Sequence, residues 1–163
     1  MNTKEAIRGT MDMSLFVLNQ YVSDLEDADL MRRPGSGCNH LAWQLGHLIS
    51  SEASLVNSVC PGKGAELPAG FGEAHSKETT GVDDPAKFAS KKEYQELFER
   101  VRTATLAALD GLSDADLDAA SPERFRKRFP TVGSLFVLLS VHPLMHAGQF
   151  VVVRRQLGKP ILI

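Results

Sequence analysis

The sequence predicts an all-α fold, a four-helix bundle forming a single domain over residues 1–163. Three observations lead there. Apolar residues recur at helical spacing in four separate stretches, while the alternating pattern of a half-buried strand is weak everywhere. One long and two shorter connections separate the stretches, which is how an all-helical chain is laid out in a bundle. At 163 residues the chain is long enough to bury a core.

The first helix runs from about Thr3 to Tyr21, with Ile7, Met11, Phe16 or Leu15, Leu18 and Val22 on its apolar face and Thr3 as N-cap. Ser23 to Leu30 is acidic and predicts a short helical turn, closed by the Pro34–Gly35–Ser36–Gly37 loop. The second helix runs from about Asn39 to Val59 and carries Leu41, Leu45, Leu48, Ile49, Ala53, Leu55 and Val56 at helical spacing. Between Cys60 and Ala89, glycines and prolines recur and predict a long irregular connection. Ser90–Lys91–Lys92–Glu93 is a capping box opening the third helix, which ends at Gly111. The fourth begins near Thr131 and ends near Leu157, with Gly158 and Pro160 to stop it. Asp–Ala–Asp–Leu occurs at 27–30 and again at 114–117, each copy lying between two long helices. The repeat hints at two similar helical hairpins.

The chemistry-bearing stretch is Ser140 to Gln149. His142 and His146 stand one helical turn apart on one side of the fourth helix, about 6 Å along the axis. Two neutral imidazoles so placed can converge on one first-row metal. They lie in an apolar run from Leu135 to Val153, where an unpartnered ring is costly to bury. The best third ligand is His47, central in the second helix, with Gly46 before it leaving room for close approach. Three protein nitrogens leave a coordination position open, as in catalytic zinc sites. The competing interpretation makes each ring a core histidine bonded to a backbone carbonyl.

His40 lies about 10 Å up the axis from His47, too far to share an ion, and suits the helix start or the rim of the site. Trp43, on the His47 face, packs in the core or lines the pocket. Gln149, three residues beyond His146, can hydrogen-bond a ligand ring from behind or touch substrate. His75, in the long connection, is expected to be solvent-exposed. Glu52 points off the His47 face and is a poor ligand or base. Pro143 removes the ladder bond to the Leu139 carbonyl and predicts a kink between the paired histidines.

Net charge is −2 with the signs interspersed, so no basic field exists to hold nucleic acid. Arg124–Arg126–Lys127–Arg128 is the local exception and suits a solvated turn. The N-terminus lacks a signal-peptide pattern, and His142, Gln149 and Arg154 interrupt the longest apolar run, so no membrane span is expected. Cys38 and Cys60 flank one helix, roughly 30 Å apart, and cannot pair within the chain. Free thiols suit a reducing, cytoplasmic setting.

Trp43–x–x–x–His47 after a Pro–Gly–Ser loop, His142–x–x–x–His146–Ala147–Gly148–Gln149, and the Arg154–Arg155–Gln156–Leu157–Gly158–Lys159–Pro160 ending together resemble the DinB-like (YfiT-like) family of metal-dependent hydrolases. The resemblance spans nearly the whole chain and departs at Pro143. It implies an up–down–down–up bundle, often a homodimer. It also implies a divalent site, zinc or nickel, at His47, His142 and His146. Members with known reactions include thiol-dependent S-transferases and a thiol-dependent isomerase, in which a metal activates a low-molecular-weight thiol. The expected function is therefore a metal-dependent S-transferase acting on a small electrophilic molecule. A metal-dependent hydrolase is the alternative, and a non-catalytic helical dimerisation or binding module is the rival of another class.

Overall fold

The computed structural model describes residues 1–163 and is helical, with one isolated antiparallel bridge between Ala120 and Thr131. The first long helix, α1, spans Thr3–Val22. Asn2 rather than Thr3 caps it, because the Asn2 side chain accepts from Glu5 N–H while Glu5 reaches back to Asn2 N–H. The turn α2, Asp27–Leu30, leads to α3, Leu41–Val59, which begins two residues later than expected because His40 is its N-cap. The 60–90 connection contains α4, Phe71–Ala74, and 3₁₀ turns at Lys77–Thr79 and Pro85–Lys87. The remaining helices are α5, Lys91–Asp110; α6, Asp114–Asp118; α7, Glu123–Arg126; and α8, Val132–Gln156. The expected capping box opens α5 through Ser90 and Glu93. Past the end of α8, Gly158 takes a left-handed conformation at φ 67°, and the Lys159 and Gly158 N–H groups return to the Arg154 and Arg155 carbonyls. That is a Schellman stop, with glycine where a side chain would be strained.

Two apolar clusters fix the helix directions. One joins the second half of α1 (Leu15, Leu18, Val22) to the first half of α3 (Leu41, Leu45, Ile49), the first half of α5 (Tyr94, Phe98) and the end of α8 (Phe150, Val153). The other joins Ile7 and Met11, Val56, Ala108 and Leu109, and Val132, Phe136 and Leu139. Helices α1 and α8 therefore run one way and α3 and α5 the other, an up–down–down–up four-helix bundle. The two Asp–Ala–Asp–Leu turns sit at opposite ends, Leu30 buried in the first cluster and Leu117 in the second. Each turn is closed by its second aspartate, Asp29 onto Glu26 N–H and Asp116 onto Ser113 N–H. The repeat thus marks equivalent corners of two hairpins.

A buried polar layer separates the clusters. Ser14, Glu52, Arg102, Thr105 and Ser140 are all buried, one or two per long helix. Arg102 Nη2 donates to Glu52 Oε2 at 2.9 Å and Nη1 to the Met11 carbonyl at 2.7 Å, joining α5 to α3 and α1. Glu52 Oε1 and Arg102 Nε have no partner. Burial raises the Glu52 pKa and the Arg102 charge opposes that rise. At the bundle end Arg154, fully buried, donates to Asp24 and to the Tyr21 and Pro160 carbonyls. It is spent on tying α8 to the end of α1 as well as on its own helix terminus.

By length and composition α8 is apolar enough to cross a membrane, as the buried core helix of a bundle also can be. Ten of its residues are buried inside the bundle, which accounts for its inner face. Its outer face carries exposed Val137, Leu144, Met145 and Val152, and neighbouring α1 exposes Met13 and Phe16.

Replacing Glu52 alone with Leu leaves the Arg102 guanidinium buried without its counter-ion, and should cost about 3–5 kcal/mol in urea unfolding. The double variant Glu52→Leu/Arg102→Met should recover most of that loss; strictly additive losses would show that the pair is not coupled.

Candidate metal centre

Helix α3 presents His47 and α8 presents His142 and His146, and one ligand nitrogen from each of the three lies within 4.8 Å of the others. Ring centroids are 5.3 Å apart for His47 and His142, 5.5 Å for His47 and His146, and 5.0 Å for His142 and His146. Two nitrogens on one ion at about 2.1 Å lie at most about 4.2 Å apart, so binding asks only for small ring movements. Pro143 does not spoil the pair. It is buried within a helix that continues unbroken to Gln156, so the lost ladder bond is absorbed without separating the two rings.

Each ligand ring has its own support. Trp43 stacks on His47 with centroids 5.0 Å apart and planes within 9°. Its indole N–H is held by the Ser76 carbonyl and Thr79 Oγ1, both at 3.1 Å, so the long connection fixes the residue that backs the ligand. Ser51 Oγ lies 3.4 Å from His47 Nδ1. Behind His146, its Nδ1 lies 2.8 Å from Gln44 Oε1. Gln44 Nε2 donates to the Asn39 carbonyl at 2.7 Å and to Gln149 Oε1 at 3.0 Å. Gln149 therefore reaches His146 through Gln44, not directly.

The electrostatics suit a metal ligand set, because the ligand form of imidazole is the neutral one. Burial pushes the His146 pKa down to about 3, with the His142 and His47 charges adding to it. Burial, then the His47 charge, pushes His142 down to about 4. Burial lowers His47 as well. Three neutral nitrogen donors with no fourth protein ligand fit an open divalent-metal site.

A profile of the DinB superfamily matches residues 13–150. The chain belongs to the DinB superfamily. Among solved structures, a conserved protein from Enterococcus faecalis superposes with a TM-score of 0.74 at 16% identity, covering 98% of this chain and 99% of that one. YfiT from Bacillus subtilis, described as a probable metal-dependent hydrolase with an unusual four-helix bundle topology, gives a TM-score of 0.63 at 18% identity. That alignment covers 96% of this chain and 89% of YfiT. At such identities these two likenesses speak for the shared fold. No curated protein matches the sequence significantly.

Within this DinB-superfamily bundle the remaining histidines are structural. His40 is buried, its Nδ1 accepting from Trp43 N–H and its Nε2 donating to the Val82 carbonyl. It starts α3 and has no nitrogen free for the site. His75 is only 3% exposed, against the expectation for a loop residue. Its Nδ1 lies 2.7 Å from the Phe71 carbonyl and its Nε2 2.8 Å from Tyr94 Oη. Its ring fills the space that Gly46 opens: a Cβ there would fall 2.1 Å from His75 Cδ2. The glycine thus serves the packing of the connection rather than approach to a metal. No motif in the sequence marks Gln44 or the Tyr94 hydroxyl. The available signal for Gln44 was an amide amid Leu41, Leu45 and Leu48, which must find partners once buried.

All five histidines have lowered pKa values, chiefly from burial. Below about pH 6.5 the unfolded chain binds protons that the native rings refuse, so stability is complete above that pH and declines below it. The decline continues toward pH 4 for His142 and pH 3 for His146. The unfolding temperature of chelator-treated protein should therefore fall steadily from pH 7 to pH 5. A flat profile over that range would mean that the rings titrate normally in the folded state.

Proposed function

We propose that the chain is a divalent-metal-dependent enzyme in which His47, His142 and His146 hold zinc or nickel, and which transfers a low-molecular-weight thiol to a small electrophilic molecule. The observation that carries the reading is the convergence of three low-pKa imidazoles from two helices with coordination positions left open. A metal held there would lower the pKa of a thiol or a water beside it and so supply a nucleophile at neutral pH. The residues around it orient and shield: Trp43 backs His47, Gln44 holds His146, and Gln149 reaches the exposed edge of the site.

The hydrolase reading is favoured by the description of YfiT. Water attack on a carbonyl ordinarily draws on a nearby general base. The carboxylate nearest His47 in sequence, Glu52, is instead buried against Arg102 in the core layer. Thiol attack would ask less of the protein, because a thiol starts at a lower pKa than water and a metal held there would bring it further down without a protein base, and this favours transfer. A binding module would be favoured by a fourth protein ligand closing the shell.

The exposed apolar residues of α1 and α8 suit contact with a second copy of the chain, in a homodimer.

Protein purified without a histidine tag should carry about one zinc or nickel per chain. His47→Ala and His142→Ala should each lose the metal while helicity survives. The loaded parent, screened with cellular thiols against alkyl and aryl electrophiles, should show thioether formation. Failure to bind metal after reconstitution would overturn the enzyme reading, and ester or amide cleavage without any thiol requirement would favour the hydrolase. Light scattering should show a dimer that Met13→Glu/Val137→Glu converts to monomer; a monomeric parent would remove the dimer.

A further inference from the structure

The amide of Gln44 is the one polar group in the first two turns of α3 that touches the metal candidates, and its orientation is decided by the backbone. Both of its N–H bonds are used, one on the Asn39 carbonyl and one on Gln149 Oε1. A backbone carbonyl can only accept, so Nε2 must face Asn39. Rotating the amide by half a turn would set Gln44 Oε1 against that carbonyl at 2.7 Å, two acceptors with no proton between them. Gln44 Oε1 is thereby aimed at His146 Nδ1, and an amide oxygen can only accept. In the neutral ring the proton must then sit on Nδ1, which leaves the lone pair on Nε2.

We propose that Gln44 is a positioning residue that fixes the tautomer of His146, so that Nε2 is presented as a ligand before any metal arrives. The polarity runs from the Asn39 carbonyl through the Gln44 amide to the imidazole. Without it, His146 could carry its proton on Nε2, the form that cannot ligate through that nitrogen. A ligand tautomer chosen in advance removes the cost of moving the proton when the metal binds. The same bond holds the ring plane, since Nδ1 is tied to α3 while the rest of the side chain belongs to α8. The proposal rests on His146 being a metal ligand, and its first readout does not require a metal.

The test begins with ¹⁵N-labelled, metal-free parent protein near pH 7, where two-bond nitrogen–proton correlations report which imidazole nitrogen of His146 carries the proton. The expected result is the Nδ1–H form. An Nε2–H ring in the parent overturns the proposal outright. Two variants follow. Gln44→Leu removes the acceptor, and should let the Nε2–H form appear and weaken zinc binding about 10- to 100-fold in a chelator competition. Gln44→Glu keeps an oxygen toward Nδ1 but sets its other carboxylate oxygen against the Asn39 carbonyl, so it should retain the Nδ1–H form while binding zinc more weakly than the parent. A residue that merely packs would lose affinity in both variants without any tautomer change, and that pattern overturns the proposal. So does Gln44→Leu with tautomer and affinity both unchanged. If the parent binds no zinc at all, the metal reading fails, while the tautomer measurement still decides what Gln44 does.

Discussion

The bundle depends on the Arg102 guanidinium, placed where the two apolar clusters meet. From α5 it bonds the Glu52 carboxylate on α3 and the Met11 carbonyl on α1, so three of the four long helices share one charged group. A buried charge without partners is far more costly than any single apolar contact is favourable. Sliding any of those helices by one turn would strand Arg102 or Glu52, so the pair sets the register of the bundle. That register sets the height of His47 on α3, while Arg154, tied to Tyr21 and Asp24 at the end of α1, sets that of His142 and His146 on α8.

The long connection after α3 serves as the outer wall of the ligand helix. His40 takes hold of Val82, Trp43 of Ser76 and Thr79, and Arg33 of Thr80 and Asp83. His75 closes the wall from the other side, seated on Gly46 and bonded to Tyr94 of α5. A segment rich in glycine and proline is thereby ordered through side chains rather than through a regular ladder of its own. The consequence for the site is indirect. Trp43, held by the wall, supports the His47 ring from one face.

The site itself is asymmetric in its supports. His146 is held by a directed amide, His47 by stacking and a long contact to Ser51, and His142 by the edges of the other two rings. The three are partly buried at the edge of the α8 core face, near enough to the interior to stay neutral. The DinB-superfamily bundle thus sets a pair of candidate ligands one turn apart on α8 against a third on its antiparallel neighbour α3.

The sequence alone determined the four long helices, the cap at Ser90, the start near Thr131, the stop at Gly158, and the pairing of His142 with His146. Helical periodicity, capping boxes and i, i+4 neighbours are local, acting within one or two turns of chain. It also pointed to His47, because a histidine central in an apolar helix needs a partner. Only the tertiary structure decided the rest. It turned His75 from an exposed loop residue into a buried one and Gly46 into the seat for its ring. It showed Arg154 and Glu52 bound to other helices and Pro143 inside a continuous α8, and it revealed Gln44 behind His146. Each of these turns on which group lies opposite across a helix–helix contact. A buried polar atom must find a partner, but its sequence neighbours do not say which one.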